Sequence, residues 1–302
     1  RLHSCNVPKK IYWETCCPVL GEKIMKTIKV KIWVFLCLVY ALLSLVALIS
    51  IFPIYHMFNV SFKPRAILYE FTLFPLPPTI ENYILLFEGT LMFRWLLNTF
   101  AYAGTVALLT IIVDSMTAYC LSKATFPGRD LIFTIILAAM MVPGQVTLIP
   151  RFIMFRYMNL INTFWGLLLP GIASPFGVFL LRQYMLALPS DILDSGRIDG
   201  CSEWQVFWKI AFPLSRPAIA TVAALKFISH WNTFLWPLIV MTTQDNYTVP
   251  VGLATLSWWG GSDWGVMMAG SAISVIPTLA IFIIFQKYIL AGLTLRRVQL
   301  KM

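Results

Sequence analysis

Charge is scarce in this chain. Only 12% of its 302 residues are Asp, Glu, Lys or Arg, against about 25% in a soluble globular domain. Histidine is scarcer still. His3, His56 and His230 lie too far apart to share a metal by any local ligand spacing. No glycine run closes on Lys followed by Ser or Thr, so the backbone cradle that would hold a nucleotide's phosphates is missing. No stretch interleaves Lys and Arg with aromatics as a nucleic-acid surface does, although the net charge is +10. These absences leave no site for phosphate or metal chemistry and argue against a nucleic-acid partner. What is plentiful is apolar: 59% hydrophobic residues, 15% of the chain aromatic. That composition belongs to a lipid bilayer, where Trp and Tyr gather at the two interfaces.

The apolar residues fall into runs long enough to cross about 30 Å of hydrocarbon. "IWVFLCLVYALLSLVALISIFPIY", from Ile32 to Tyr55, carries no charge. Further spans are expected from Leu96 to Tyr119, Leu131 to Pro150, Phe164 to Leu181, Ala218 to Val240 and Trp264 to Phe285, which makes six. Pro143, Gly144, Pro150, Pro170 and Pro175 interrupt the third and fourth, as membrane helices tolerate where neighbours satisfy the freed backbone groups. Lys and Arg set the orientation. With the N-terminus inside, the inner segments hold the basic residues before Ile32, then Lys123, Arg129, Arg182, Arg197, Lys209, Arg216, Lys287, Arg296, Arg297 and Lys301. The outer ones hold only Lys63, Arg65, Arg94, Arg151 and Arg156. Both termini are therefore expected in the cytoplasm. Cysteine usage agrees: Cys5, Cys16, Cys17, Cys120 and Cys201 fall on or near the inner side and Cys37 within the first span, so no structural disulfide is implied. The first span is too long for a cleavable signal. Met25, ahead of "KTIKVK", offers a natural beginning, and no function is assigned to the residues before it.

One inner segment breaks the pattern. Residues 182–217 form the longest inner loop, and "DSGRIDGCSEWQVFWKIAFP" within it mixes polar and apolar residues between two oily stretches. A short helix is predicted after Pro189 with Ser190 as N-cap, and Gly200 permits a sharp turn. Ser202 and Gln205 fit a capping box for a second helix. Trp204, Phe207, Trp208 and Ala211 recur at i, i+3, i+4 and i+7, predicting one apolar face. Pro213 and Pro217 end that helix and return the chain to the membrane. Two uses fit: a helix pair lying on the lipid surface, or a rigid knuckle that docks a cytosolic partner.

Here the sequence resembles the inner-membrane permease subunit of binding-protein-dependent ABC importers, in the carbohydrate-importing branch that includes the smaller subunit of the maltose permease. That family carries Glu-Ala-Ala, two further residues and Asp-Gly, then a spacer and a proline-rich return. Asp199, Gly200, Pro213 and Pro217 match it, while Asp194, Ser195 and Gly196 stand where the family has Glu-Ala-Ala. The resemblance covers nearly everything after residue 30: "FKP" at 62–64, "PTIENY" at 78–83, "AYCLSKATFPGRD" at 118–130, "FLLRQYMLALP" ending at Pro189, "WNTFLWPLIV" at 231–240, "YTVPVGLATL" at 247–256 and "FQKYILAGLT" at 285–294. In the tail Arg296 replaces a glycine of the family's usual ending.

The resemblance implies an all-α integral membrane protein, six transmembrane helices in the type I ABC importer permease arrangement. Residues 1–30 would be a cytoplasmic segment and 31–290 the permease domain, with an external loop at 55–95 and the coupling loop at 182–217. Residues 291–302 would form a cytoplasmic tail. Such a chain binds no cofactor; ATP and magnesium belong to two copies of a partner ATPase. The other implied partners are a sister permease and an external solute-binding protein, and the solute is a sugar, an oligosaccharide by the branch matched. Asp194, Ser195, Gly196, Arg197, Asp199, Gly200, Trp204, Phe207 and Trp208 would meet the ATPase, while residues 55–94 and 241–263 would face the binding protein.

Polar residues inside the spans carry a functional hypothesis. Asp114 and Lys226 are expected at equal depth. They either pair or line the pathway separately, with Lys226 then able to meet an acidic solute. His230, Trp231, Asn232 and Trp236 sit together in "HWNTFLWP", where aromatic faces and an amide suit a sugar ring but the tryptophans suit packing better. Asn59, Gln145 and Asn159 are further amides of the same kind. Within transport, an acidic saccharide such as a uronate oligomer, or glycerol phosphate, is the alternative cargo. A secondary transporter or a membrane scaffold is the alternative class, but the first predicts an internal repeat that the sequence lacks and neither explains the inner knuckle.

Overall fold

The computed structural model describes the backbone of residues 18–256 and 263–293 and the side chains of residues 31–256 and 263–288. The expectations for His3, Cys5, Cys16, Cys17 and the tail carrying Arg296 lie outside the described residues, as does part of the segment expected to face the binding protein. Among the described residues the fold is helical throughout, with no strand.

The chain divides into two units, residues 1–57 and 58–302. Helix α1, Pro18–Ser61, supplies the described part of the first, ends within the second and contains Pro53. Its apolar portion, Lys31–Ser61, has 31 residues, about 46 Å at 1.5 Å per residue. After the last turn of α1, the second unit continues with a loop and α2 (Glu81–Gly89), then α3 (Met92–Lys123), a second helix long and apolar enough to span. After α4 (Arg129–Ala139) and α5 (Leu148–Tyr157) come α6 (Phe164–Leu168) and α7 (Pro175–Leu186). The knuckle holds α8 (Ser190–Ile198) and α9 (Glu203–Val206). It is followed by α10 (Arg216–Trp231), α11 (Leu235–Val240), α12 (Val249–Leu256) and α13 (Trp264–Leu293).

Helix α3 is the spine of this unit. It packs along both α7 and α10, and α10 packs on α13. One apolar core lies where the Lys123 end of α3 meets α7, α8, α9 and α10, around Tyr119, Leu181, Met185, Leu193, Phe207 and Val222. Another joins the Met92 end to α2, α12 and α13 through Leu86, Met92, Trp95, Val249 and Ala269.

Length alone gives three spanning helices, or up to five if α6 with α7, bent by 43°, and Glu203–Leu214 with α10, bent by 77°, each count as one. The expected third span differs most. Helix α4 stops after 11 residues, about 16 Å, and residues 140–147 turn before α5. Pro143 and Gly144 account for the stop, one lacking a backbone donor and the other costly in a helix. The fourth expected span is likewise broken, at Leu169–Gly171, where Pro170 enters a tight 3-10 turn.

Candidate functional site: the knuckle at residues 190–214

Helix α8 begins one residue earlier than its sequence pattern predicts. Pro189 is the N-cap and Ser190 the first helical residue, because the proline holds extended backbone while supplying no donor that needs a partner. The Ser190 hydroxyl meets Asp191 instead. The other end follows the expected chemistry closely. Gly200 takes φ +84°, its N–H bonds Arg197 O at 3.0 Å, and Cys201 N–H bonds Gly196 O at 3.0 Å. This pair of bonds is a Schellman closure, which needs a left-handed residue at that position. Any side chain at Gly200 would strain it by about 1–2 kcal/mol.

Beyond the turn, Ser202 and Gln205 form the predicted capping box, each side chain bonding the other's backbone N–H. The predicted single apolar face does not form. Phe207–Ala211 is a π-helical turn in which Phe212 N–H reaches back to Phe207 O. The wider turn shifts the register, so Phe207 and Ala211 are buried while Trp204 is 58% exposed and Trp208 sits half-buried against both Phe207 and Phe212. The tip therefore shows solvent Ile198, 86% exposed, together with Asp199, Gly200 and Trp204. Ile198 and Trp204 are thus the large apolar side chains left uncovered at the end of the turn.

A charged lattice fixes that tip to α3. Arg197 forks onto Glu203 with Nε and Nη2 at 2.6 and 3.2 Å, and its Nη1 reaches Asp194 at 2.6 Å. Glu203 also accepts the Tyr119 hydroxyl at 2.9 Å. Those bonds from Arg197, more than the phenol, hold the Glu203 carboxyl below the usual carboxylate range. They also raise the guanidinium, Glu203 more than Asp194. Glu203 and Tyr119 were not among the residues singled out from sequence. The i,i+3 spacing of Asp194 and Arg197 was visible, but six residues across a turn and 84 along the chain leave no local pattern. Gly196, where the resembled family has alanine, lies against Ile210: a Cβ there would stand 2.5 Å from Ile210 Cδ1.

The intramembrane candidates do not converge on one cavity. Asp114 is buried, and its Oδ1 accepts Ser174 N–H at 3.0 Å. Ser174 in turn caps α7 by accepting Gly177 N–H. A break inside a span strands backbone groups that lipid cannot satisfy. Here α3 supplies the partners, Asp114 for Ser174 N–H and Thr110 for Gly171 O. Gly177 makes the approach possible, since a Cβ there would lie 2.0 Å from Asp114 Oδ2. Lys226 is within electrostatic range of Asp114, yet no ion pair between them is among those formed by the described residues. Trp231, 1% exposed, stacks on Phe227 and donates to Ser274 O of α13. His230 bonds Lys226 O and meets Tyr102 edge-on. Asn232 is exposed and bonds Ile228 O, one turn back. Asn59 is buried, holding Thr72 O and Leu73 O, and Trp236 donates to Gly166 O beneath Arg151. Among the described residues no three His, Cys, Asp or Glu side chains gather to hold a metal.

A multi-pass membrane protein with a stiff helix–turn–helix knuckle between two of its membrane helices is thus defined. Residues 116–294 match the family described as binding-protein-dependent transport system inner membrane component, and the chain belongs to that family. It is 37% identical over 256 residues to the arabinooligosaccharides transport system permease protein of Halalkalibacterium halodurans, covering 83% of this chain and 92% of the relative. The trehalose/maltose transport system permease protein of Thermococcus litoralis is 36% identical over the same length, with the same coverage of both chains. Among solved structures, a chain of a bacterial ABC transporter involved in import of the acidic polysaccharide alginate is similar with a TM-score of 0.78. It is 25% identical and covers 84% of this chain and 96% of that one.

Proposed function

We propose that this chain is one half of the translocation pathway of an ATP-driven, binding-protein-dependent sugar importer, taking an oligosaccharide as cargo. The relatives named above support the cargo class. The chain is a non-catalytic transport component: hydrolysis of ATP, with its magnesium, falls to two ATPase subunits that dock from the cytoplasm. A sister permease completes the pathway, and a solute-binding protein delivers the sugar from outside. Both termini then lie in the cytoplasm of a cell whose inner membrane holds the complex. The six-span arrangement then counts the short α4 as the third crossing, completed by its neighbours in the complex.

The observation that carries this reading is the knuckle. Asp194, Ser195, Gly196, Arg197, Asp199, Gly200, Trp204, Phe207 and Trp208 form or support a tip with Ile198 and Trp204 outermost, closed by the Schellman turn and rooted through Phe207 in the core at the end of α3, α7 and α10. A rigid tip continuous with membrane helices can convert closure of the ATPases into helix motion. Facing the pathway, Lys226, His230 and Asn232 are the residues with exposure left for a solute, while Asp114, Trp231 and Asn59 act through the backbone they hold. The test is ATP hydrolysis by the co-expressed assembly in proteoliposomes, with and without loaded binding protein. Gly200→Phe is expected to abolish stimulation while the complex still assembles. Stimulation intact in that variant would return the segment to a surface-lying helix pair.

A second cargo, an acidic saccharide, has two specific observations behind it. Among the described residues Lys226, in α10, forms no ion pair, and the similar solved chain belongs to an alginate importer. Lys226→Met should then lower transport of an anionic oligosaccharide and leave a neutral one unaffected. Equal transport of both would remove that reading.

A further inference from the structure

The connection from α11 to α12 is held from two sides. On one side stands Asn162, in the loop between α5 and α6, with φ +57°. Its Oδ1 accepts the consecutive backbone N–H groups of Thr242 and Thr243 at 3.1 and 3.3 Å, the Thr243 hydroxyl at 3.2 Å and Asn246 Nδ2 at 3.2 Å. Its backbone closes the same contact, Asn162 N–H on Val240 O at 2.9 Å and Asn162 O on Asn246 Nδ2 at 3.1 Å. Two successive N–H groups converging on one oxygen make a small concave donor nest, and this one is filled by a neutral amide.

On the other side α3 supplies donors for the carbonyls. Trp95 Nε1 donates to Gln244 O at 2.8 Å, and Asn98 Nδ2 to Asp245 O and Tyr247 O at 2.7 and 3.0 Å. Arg94 pairs with Asp245 at 2.8 Å. With its backbone held on both sides, the turn presents Thr242, Thr243, Gln244 and Asp245 to solvent, and the one charge among them is already matched. What remains is an uncharged tip of hydroxyl and amide groups in a fixed arrangement.

We propose that Asn162 is a positioning residue for partner recognition: it pre-organises the 242–245 turn, which docks a neutral, hydrogen-bonding surface of the solute-binding protein. The proposal rests on the importer reading above, which puts this turn outside the membrane. A turn ordered before contact does not lose its conformational entropy on binding. Nothing about residues 158–163 as a sequence points to the turn 80 positions later.

Two substitutions separate the acceptor from the backbone. Asn162→Gly keeps the left-handed conformation and deletes the acceptor; Asn162→Asp keeps the acceptor and tolerates the same φ. In the full complex in proteoliposomes, the cognate binding protein, loaded with its sugar, is titrated against ATPase rate, and amide exchange is read at Thr242 and Thr243. The expected result for Asn162→Gly is faster exchange at both amides and a half-saturating binding-protein concentration raised about tenfold, with an unchanged maximal rate. Asn162→Asp should return both readouts to near wild type. Unchanged half-saturation in Asn162→Gly overturns the proposal, as does a fall in maximal rate alone, which would mark a structural role. A wild-type complex that ignores binding protein would instead sink the importer reading, and this inference with it. Wild-type exchange then tells the two apart, since protected Thr242 and Thr243 amides lost in Asn162→Gly would show the turn held but used for something else.

Discussion

The two ends of α3 are fastened to a short polar segment each, by opposite chemistry. At the Lys123 end, the knuckle is tied through exposed charges: Arg197 between Asp194 and Glu203, with Tyr119 on α3 as the last link. At the Met92 end, the 242–247 turn is tied mainly through neutral groups on backbone: Trp95 and Asn98 of α3 donate to its carbonyls, and Asn162 Oδ1, from across the loop, accepts its N–H groups. The first arrangement can loosen with salt, pH or a competing partner charge, whereas the backbone hydrogen bonds of the second, the exposed Arg94–Asp245 pair aside, are nearly blind to all three. The lesson is mechanical: a surface that must yield and re-form during a cycle suits charge, and a surface that must present one fixed shape suits backbone hydrogen bonds. Below the charges, though, the knuckle rests on an apolar core that does not depend on them. The comparison therefore predicts that the knuckle's core and its charges can be separated by mutation.

Phe207→Ala tests the core and should have the largest effect. Phe207 is buried among Tyr119, Trp208 and Phe212, and its loss is expected to cost about 3–5 kcal/mol, read as a lowered unfolding midpoint and a poor yield of assembled complex. A loss no larger than that of Arg197→Ala would mean that the charges, not the core, hold the knuckle.

Within α3, towards its Lys123 end, Asp114 offers a sharper case: one carboxyl group serving backbone within the membrane. Asp114→Ala leaves Ser174 N–H without a partner in a buried break, an expected cost of about 1–3 kcal/mol. Asp114→Asn retains the acceptor and should lose much less, and Lys226→Met should leave assembly intact. Should Asn prove as damaging as Ala, pairing with Lys226 would be the important interaction and the hydrogen bond to Ser174 secondary.

How far the sequence reached follows from the range of each interaction. The Ser202–Gln205 capping box and the Gly200 turn are local, so their spacing was enough. The π turn at Phe207–Ala211 was not legible, because it arises from the pull of Phe207 and Ala211 into a core built by residues from 118 to 222. A period of 3.6 assumes the helix that the core then distorts. Asp114 was legible as unusual, since charge in a span stands out, but its partner was not: Ser174 N–H belongs to a backbone break that no side-chain pattern announces. Six apolar runs were countable, whereas the shortness of α4 depended on how Pro143 and Gly144 were accommodated. Asn162 carried no signal at all among ordinary loop residues.

Salt separates the two ends next. Raising ionic strength towards about 1 M shortens the screening length to ~3 Å, and the exposed Arg197–Glu203 and Arg197–Asp194 pairs should lose their contribution, about 1 kcal/mol or less. The destabilisation caused by Glu203→Gln should therefore shrink in high salt, while that of Asn162→Gly stays as it was. Equal salt dependence at both ends would erase the distinction.

The smallest effect expected is in pH, and its sign is fixed. Arg197 holds the Glu203 carboxyl below its ordinary value in the folded chain. Protonation is then harder in the folded state than in the unfolded one, where a glutamate titrates near ~4.3. The stabilisation is fully present above that value and disappears as pH falls through the lower, folded one. Midpoint differences between wild type and Glu203→Gln should stay level from neutral pH to about 5 and close below about 4, by about two degrees or less given the exposure of the pair. The penalty of Asn162→Gly, which involves only amides, hydroxyls and backbone, should run flat through the same window. A Glu203→Gln difference that is also flat would show that the fork from Arg197 adds nothing to stability. The contrast between the ends of α3 would then lie in their geometry alone.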